Sequence, residues 1–371
     1  STGRIAEWVL ALSPRSHRLF DQTQADIIER ASADIRFRIV YTDDSRRRAM
    51  LRELQTRGAD TREIRWLRSP TGSDPWTCDF FLQGRSADGG SIAYLHHPDH
   101  YARAWGPQRA SDPHVYLRGL SATQTIVTRF RGEGGQVVAD ENRAFVSRTV
   151  LETALAQRDV TSEQDLRTHL EAAWGLPVTW INTAQLDEGR HLDVCLMTAG
   201  RRRVVLGSPR LTARLLEASS PRVWERVERE VRAGAAATGI NAGAGLSVML
   251  HEQARSAPRQ QAFERLRADL EAHGYSVTEV PFLAFGGRDD PMRLVLSYTN
   301  VVQDERDGVH TVYLPSYGVD VLDRHAENAW SKLGYRVVPV RALGAAMHGG
   351  SIRCLSQVRK LSGRAEPRDT P

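Results

Sequence analysis

Lysine is almost absent from this chain of 371 residues, in which Lys332 and Lys360 are the only two. The formal net charge of +5 therefore comes from arginine, and the arginines are scattered among acidic residues, as in ERVEREVRAG. Dispersed charge of this kind is typical of solvated helix faces rather than of a basic stripe. We therefore expect no nucleic-acid partner.

Cysteine and long apolar runs are also scarce. The three cysteines, Cys78, Cys195 and Cys354, cannot build a disulfide framework, which favours a reducing compartment. No stretch approaches the roughly 18 apolar residues of a membrane span. The first residues lack the apolar core and cleavage pattern of a signal peptide. These absences predict a cytoplasmic chain with no membrane partner.

Strand-like and helical patterns alternate along the whole chain. Runs rich in β-branched residues include FRIVYT, RVVLG and YRVVPV, and amphipathic helical stretches include DSRRRAMLRELQTRG and QQAFERLRADLEAHG. A strand–turn–strand–helix–strand unit recurs at irregular spacing, and no Pro- or Ser-rich linker divides the chain. We expect one α+β domain over residues 1–361, followed by a disordered tail at 362–371, which offers almost no apolar residues.

The stretch GGSIRCLSQ at 349–357 places a cysteine shortly after two glycines. Glycine lets the backbone turn tightly or approach a ligand closely. A cysteine beside such a turn is a candidate nucleophile if a neighbouring group makes it a thiolate. For Cys354 taken alone, a buried free thiol remains the alternative.

The stretch EGRHLDVCLMTAG predicts a strand in which His191, Asp193 and Cys195 share one face. Such a polar face either lines a polar cleft or belongs to a solvated edge strand. A zinc site formed by these three residues is disfavoured, because side chains along one flat strand fit tetrahedral geometry badly. We expect no metal here.

Two further acidic residues stand in distinctive surroundings. Glu133 lies in RGEGGQVV, on a glycine turn that enters a hairpin, and Asp79 lies in DPWTCDFFLQG, among aromatic residues. An acid among aromatic side chains needs a partner, and a cationic ligand would be one. A surface turn for Glu133 and a helix-capping role for Asp79 are the alternatives.

The stretch AYLHHPDHYARAW contains the metal-ligand types His96, His97, Asp99 and His100. Adjacent histidines point in different directions, so we predict a polar loop rather than a metal site. Together with FGGRDDPM at 285–292, this loop could cover a site as a flap.

The motifs WTCDFF, GEGGQVV, GRHLDV, LVLSYTNVV and HGGSIRCLSQ together resemble the guanidine-modifying pentein superfamily. Their order and approximate spacing are most similar to the branch of agmatine deiminase and bacterial peptidyl-arginine deiminase. The similarity runs from about residue 20 to about residue 360. It implies an α/β propeller of five ββαβ modules around a pseudo-fivefold axis, with the site in a central funnel.

The resemblance also implies roles for individual residues. Cys354 takes the position of the nucleophile and His191 that of the general acid and base. Glu133 takes the position of the acid that orients the histidine. Asp79 and Asp193 take the positions that bind the guanidinium nitrogens. The positions around the substrate are those of Trp76, Asn300 and Gly350.

The implied activity is that of a hydrolase acting on C–N bonds of linear amidines. It would convert an agmatine-, arginine- or peptidyl-arginine-like guanidino compound to its ureido product (citrulline in the case of arginine) and ammonia, through a thiouronium intermediate and without a cofactor. An amidinotransferase on the same scaffold and a non-catalytic guanidine-binding module are the alternatives. The sequence leaves the oligomeric state open, a homo-oligomer included.

Some positions depart from the family pattern. Cys78 stands where relatives often carry arginine, Phe80 and Phe81 replace a Gly-Pro pattern, and Arg353 precedes the nucleophile where histidine is usual. These departures concern the identity of the substrate more than the type of reaction. Cys78 is either a second reactive thiol or a packed small hydrophobic residue.

Overall fold

The structure, a computed structural model, describes most of the chain. The described residues are 3–13, 18–70, 73–85, 91–96, 113–117, 123–183, 186, 191–220, 252–285 and 294–361, with isolated positions between 222 and 236. The sequence predictions for the loop at 97–100, for the flap segment at 286–292 and for the tail at 362–371 lie outside these residues.

The helices and strands account for most of the described positions. The α-helices with described bounds are α1 (Arg18–Arg30), α2 (Asp44–Thr56), α3 (Pro113–Leu117), α4 (Arg148–Ala156), α5 (Glu163–Trp174), α6 (Pro209–Glu217), α7 (Ala257–Ala272), α8 (Asp320–Lys332) and α9 (Leu343–Ala346). Short 3₁₀ helices span Thr77–Phe80, Gly134–Gln136 and Leu192–Val194. The strands are β1 (Arg4–Leu12), β2 (Arg36–Tyr41), β3 (Ile64–Arg68), β4 (Phe81–Arg85), β5 (Ser91–Leu95), β6 (Thr123–Val127), β7 (Val137–Ala139), β8 (Ala144–Ser147), β9 (Val178–Ile181), β10 (Leu196–Thr198), β11 (Arg203–Ser208), β12 (Ser276–Phe285), β13 (Leu294–Ser297), β14 (Val302–Arg306), β15 (Val309–Ser316), β16 (Arg336–Arg341) and β17 (Gln357–Leu361).

The described strands form five small sheets, in the orders β17-β1-β2-β3, β4-β5-β6, β7-β8-β9, β10-β11-β12-β13 and β14-β15-β16. Each sheet contains an antiparallel pair and, next to it, a parallel pair, such as β7 with β8 and β8 with β9. Parallel neighbours need a long crossover, whereas antiparallel neighbours need only a short turn. Helices α4 and α5 form the crossover between β8 and β9. The predicted mixed α+β class is confirmed.

The first sheet joins the two ends of the described chain. Strand β17 pairs antiparallel with β1, so that Trp8 lies opposite Val358. The fully buried Trp8 ring packs against Phe37 and Tyr313, and its Nε1 donates a hydrogen bond of 2.8 Å to Ser356 Oγ. The apolar run near the start of the sequence is thus the buried strand β1. Through its pairing with β17, it anchors the segment that follows Cys354. No described helix is both long and apolar enough to cross a membrane.

The strand predicted for GRHLDVCLM is wrong in its first half. The chain forms a 3₁₀ helix over Leu192–Val194, and strand β10 begins only at Leu196. The carbonyl oxygen of Val194 accepts a hydrogen bond of 2.6 Å from Ser297 Oγ, which takes the place of a bond between strands. Cys195 consequently lies in the hydrophobic core at 1% exposure, so the shared polar face predicted for it does not form.

Candidate active site

Each of the five sheets contributes at least one polar residue from the segment that precedes one of its outer strands. Asp79 lies just before β4 and Glu133 shortly before β7. His191 precedes β10, Asn300 precedes β14 and Cys354 precedes β17. The segments that lead into these outer strands therefore supply the side chains of one cluster, although the residues are far apart in sequence.

Cys354 is held by the amide group of Asn300. The thiol is 2% exposed, and Asn300 Nδ2 lies 3.1 Å from Sγ. The backbone amide of Cys354 donates to Asn300 Oδ1 over 3.2 Å. Asn300, which the resemblance placed around the substrate, thus contacts both the backbone and the sulfur of the candidate nucleophile.

His191 is oriented by Glu133 through a hydrogen bond of 2.5 Å between Nε2 and Oε2. The other ring nitrogen, Nδ1, lies 4.0 Å from Asp79 Oδ1. Burial opposes the charged imidazolium, but the negative charge of Asp79 and the hydrogen bonds to Cys354 and Glu133 outweigh it. The pKa of His191 is consequently raised well above its usual value.

Gly135 allows the backbone to pass directly beside these side chains. A Cβ at this position would lie 2.4 Å from His191 Nδ1 and 3.0 Å from Asp193 Oδ1. Without it, the Gly135 amide reaches Asp79 and donates a hydrogen bond of 3.3 Å to Oδ1. The Glu-Gly-Gly motif is therefore explained by close approach.

The two aspartates are almost completely buried, at 5% exposure for Asp79 and 0% for Asp193. Burial is the largest reason why the pKa of each is raised, and repulsion by Glu133 and then Asp193 adds to the rise for Asp79. Asp193 Oδ2 accepts a hydrogen bond of 3.0 Å from Arg353 Nε. Its Oδ1 has no hydrogen-bond partner among the described residues. The cluster thus presents buried carboxylate oxygens that a cation would stabilise.

The surroundings of Cys354 do not favour a thiolate while the site is empty. Burial and the charge of Asp193 raise the pKa of this thiol, and the hydrogen bond from His191 only partly offsets them. Burial likewise raises the pKa of Cys78 well above its usual value. The amide of Cys78 donates to the carbonyl oxygen of Cys354 over 3.2 Å, so Cys78 is packed beside the site.

Trp76 forms an apolar wall next to the glycine turn of the last motif. A Cβ on Gly350 would lie 2.4 Å from Trp76 Cζ3, so only glycine fits against the indole ring. The indole packs edge-on against Phe20 at 5.1 Å between ring centroids. Trp76 and Gly350, two of the residues that the resemblance placed around the substrate, therefore belong to one wall.

Two sets of side chains lie close enough to share a cation. Potential ligand atoms of His191, Asp193 and Cys354 lie within 4.8 Å of one another, as do those of Asp79, Glu133 and His191. A divalent metal ion would have to compete with hydrogen bonds already made by these groups and with the positive charge of Arg353, 3.0 Å from Asp193. A flat monocation that donates hydrogen bonds suits these oxygens better.

His96 is the described member of the histidine-rich segment. It is 1% exposed, and its ring packs edge-on against Phe130 at 5.0 Å between centroids. His96 directly follows β5 and is buried there, and the polar loop in place of a metal site stays a prediction for this segment. His97, Asp99 and His100 lie outside the described residues.

The overall fold is similar to that of several solved deiminase structures. The agmatine deiminase of Enterococcus faecalis matches with a TM-score of 0.67 at 14% identity, over 97% of this chain and 94% of that one. The agmatine deiminase of C. jejuni matches with a TM-score of 0.64 at 14% identity, over 98% and 95%. A candidate peptidyl-arginine deiminase matches with a TM-score of 0.66 at 12% identity, over 96% of each chain.

The chain has the agmatine deiminase fold. The resemblance seen in its motifs is thereby confirmed at the level of the fold. No family model matches the chain. No curated protein is a significant match by sequence.

Within this deiminase fold, the sequence motifs located most of the cluster but missed two contacts. In the sequence, Arg353 is only a departure from the family pattern, whereas in the structure its guanidinium donates a hydrogen bond to Asp193. The amide of Gly135, a bond donor to Asp79, was not anticipated. The position of an arginine next to the candidate nucleophile could have indicated the contact between Arg353 and Asp193. The contact of the Gly135 amide with Asp79 comes from the backbone, so no side chain in the sequence indicates it.

The buried carboxylates predict selective labelling of Cys354 by a small cationic alkylating agent. We expect 2-chloroacetamidine to modify Cys354 at least about tenfold faster than neutral 2-chloroacetamide does, because a charged hydrogen bond both holds the reagent and favours the thiolate. Peptide mass mapping after partial modification measures the site. Cys78 and Cys195 serve as internal controls, and preferential labelling of either would contradict the assignment of the reactive thiol.

Proposed function

We propose that this chain is a guanidine deiminase, which hydrolyses a guanidino compound to a ureido compound and ammonia. The observation that carries the proposal is the placement of Cys354 Sγ, a ring nitrogen of His191 and an Asp193 oxygen within 4.8 Å of one another. Binding alone does not require a thiol next to a histidine that is oriented by a carboxylate. The agmatine deiminases of the same fold support this reaction class.

Binding would begin with the planar guanidinium pairing with Asp79 and with the unpartnered oxygen of Asp193. Planar cations bind carboxylates through charged, directional hydrogen bonds, which also fix the position of the central carbon. The bound positive charge compensates the carboxylates that raise the pKa of Cys354. The substrate would therefore help to generate the thiolate that attacks it.

The chemical steps would then use His191 twice. The Cys354 thiolate forms a bond to the guanidinium carbon, and His191 gives a proton to the departing nitrogen, which leaves as ammonia. A water molecule, deprotonated by His191, then attacks the thiouronium carbon. Collapse of the adduct breaks the C–S bond, releases the ureido product and restores the thiolate. The hydrogen bond between Glu133 and His191 holds the imidazole in place for both transfers.

We further propose that residues 1–361 form one catalytic domain in which the five sheets are modules around a pseudo-fivefold axis. The repeated strand order and the matching origins of the five site residues support this arrangement. The site would then occupy the central funnel. A guanidino compound is the partner that this arrangement would accept, in cytoplasmic surroundings and without a cofactor.

Hydrolysis can be separated from amidino transfer by isotope labelling. In oxygen-18 water, we expect the full chain to release ammonia from agmatine, arginine or a peptidyl arginine and to form a ureido product that carries the label. Both would be followed by mass spectrometry and an ammonia assay. Release of the substrate's alkylamine together with amidination of an added amine would instead establish a transferase.

The binding-module alternative has a different outcome in the same experiment. Saturable binding of a guanidine without turnover, whichever acceptor is supplied, would rule out the hydrolase. The test includes all three substrate types because the carboxylates recognise only the guanidinium end, which all three share.

A further inference from the structure

Arg353 forms an ion pair with a carboxylate that a substrate cation would also need. Its Nε donates a hydrogen bond of 3.0 Å to Asp193 Oδ2, and an Nη group donates one of 3.1 Å to the carbonyl oxygen of Val137. Two bonds to two different acceptors fix the plane of the guanidinium. The arginine is therefore held as a rigid part of the site wall.

The second oxygen of the same carboxylate is left over. Asp193 is 0% exposed, and its Oδ1 has no hydrogen-bond partner among the described residues. Leaving a buried carboxylate oxygen unpaired costs free energy, so such an atom indicates an absent donor. Oδ1 lies beside Gly135, where a Cβ would come within 3.0 Å of it, so the backbone leaves room at this atom.

We infer that Arg353 is a positioning residue, which binds Oδ2 of Asp193 and so holds Oδ1 as an anionic acceptor for the substrate guanidinium. This inference rests on the proposed function for the identity of the ligand. It gives Arg353, the residue before the candidate nucleophile, a role in substrate binding that is separate from the chemistry of the cysteine. It also explains how the positively charged Arg353 can lie in a site that binds a positively charged substrate. Arg353 and the substrate guanidinium would each bind a different oxygen of Asp193.

Arg353 also influences the charge state of Asp193. Burial raises the pKa of Asp193, and the positive charge of Arg353 is the largest influence that opposes this rise. The other titratable groups that face Asp193 are His191 on its own segment, Cys354 beside Arg353, Cys78 and Asp79 on the first 3₁₀ helix, and Glu133 beyond His191. Without Arg353, the carboxylate would take up a proton at a higher pH and would then no longer bind a cation.

The test compares two alkylating agents on the full chain with variants of Arg353. The ratio of the Cys354 alkylation rate with 2-chloroacetamidine to that with 2-chloroacetamide reports cation binding, because a change in the thiolate fraction of the protein without reagent cancels in the ratio. For Arg353→Gln, we expect this ratio to fall about tenfold at pH 6 and to recover as the pH is raised to 9, because a carboxyl group whose pKa is raised further still loses its proton at higher pH. Arg353→Lys keeps the charge and should stay within about threefold of the wild-type ratio.

Other outcomes would overturn the inference. If Arg353 only repelled the substrate cation, its removal would raise the ratio at every pH. If it only supported the structure, the ratio would fall equally at pH 6 and pH 9. Arg57→Gln is the matched control, because Arg57 is partly buried and ion-paired with Asp26 outside the site, and its ratio should be unchanged.

The inference and the proposed function can fail separately. Alkylation needs no turnover, so a chain that shows the cationic preference and its dependence on Arg353, yet hydrolyses no guanidine, would contradict only the proposed function. Normal turnover combined with a ratio that does not respond to Arg353→Gln would contradict only the inference.

Discussion

Replacing Cys354 with alanine is expected to abolish deimination, with a fall in kcat of about 10⁴-fold or more. Without the sulfur, water must attack a resonance-stabilised guanidinium directly, and no covalent intermediate can form. The fold should persist, because the site is polar and the truncation removes one atom. Ammonia release and incorporation of oxygen-18 measure the loss, and circular dichroism measures the fold.

Two controls accompany the Cys354→Ala variant. Cys195→Ala removes the same atom from the hydrophobic core and should keep kcat within about twofold in the folded protein, at a modest cost in stability. The Cys354→Ala protein should still bind the substrate, because both aspartates remain. Residual turnover of more than about one per cent of the wild-type rate would show that another group is the nucleophile.

Replacing either aspartate with asparagine is expected to lower kcat/KM for a guanidine substrate by about 100-fold. Each substitution removes one charged hydrogen bond worth about 1.5–3 kcal/mol, and the effect is larger in a buried site. Steady-state kinetics of Asp79→Asn and Asp193→Asn provide the measurement. If either variant kept near wild-type activity, the role assigned to that residue would be wrong.

Asp79→Asn is also expected to stabilise the folded protein at pH 8, by about 1 kcal/mol. The pKa of Asp79 is raised in the folded state, mainly by burial. Stability linked to its proton is therefore fully present below the pKa of the unfolded chain and is lost as pH rises through the folded value. The neutral amide avoids this loss, so urea unfolding should show the gain at pH 8 and little or no gain near pH 4.

Asp304→Asn is the matched control for the loss of a buried carboxylate. Asp304 lies in β14, in a different sheet from the one that Asp79 precedes. It is 2% exposed and accepts hydrogen bonds from the Ile5 amide and from Arg306. Its replacement should lower the free energy of unfolding but leave kcat/KM of the folded protein within about twofold. Asp79→Asn should therefore raise the free energy of unfolding and Asp304→Asn should lower it. This difference distinguishes a carboxylate that binds a ligand from one that stabilises the fold.

Much of the candidate site could be predicted from short motifs, because the residue types carry the chemistry. A cysteine after two glycines, a histidine two residues before an aspartate, and a glutamate before two glycines pointed to Cys354, His191, Asp193 and Glu133. The alternation of strand and helix patterns likewise indicated an α+β fold. These features are local, so they can be read without knowing which segments meet.

Only the tertiary structure decided how those residues act on one another. The 3₁₀ helix at Leu192–Val194 replaced a predicted strand, because a side chain from another segment satisfies its backbone. The ion pair between Arg353 and Asp193 joins residues 160 positions apart, and Cys354 meets Asn300 and Asp193 from 54 and 161 positions away. Local sequence patterns specify side chains and periodicity, whereas contacts across such distances depend on how five sheets pack. The sequence by itself therefore determined the chemical groups, and the packing alone determined their distances, their burial and their charge.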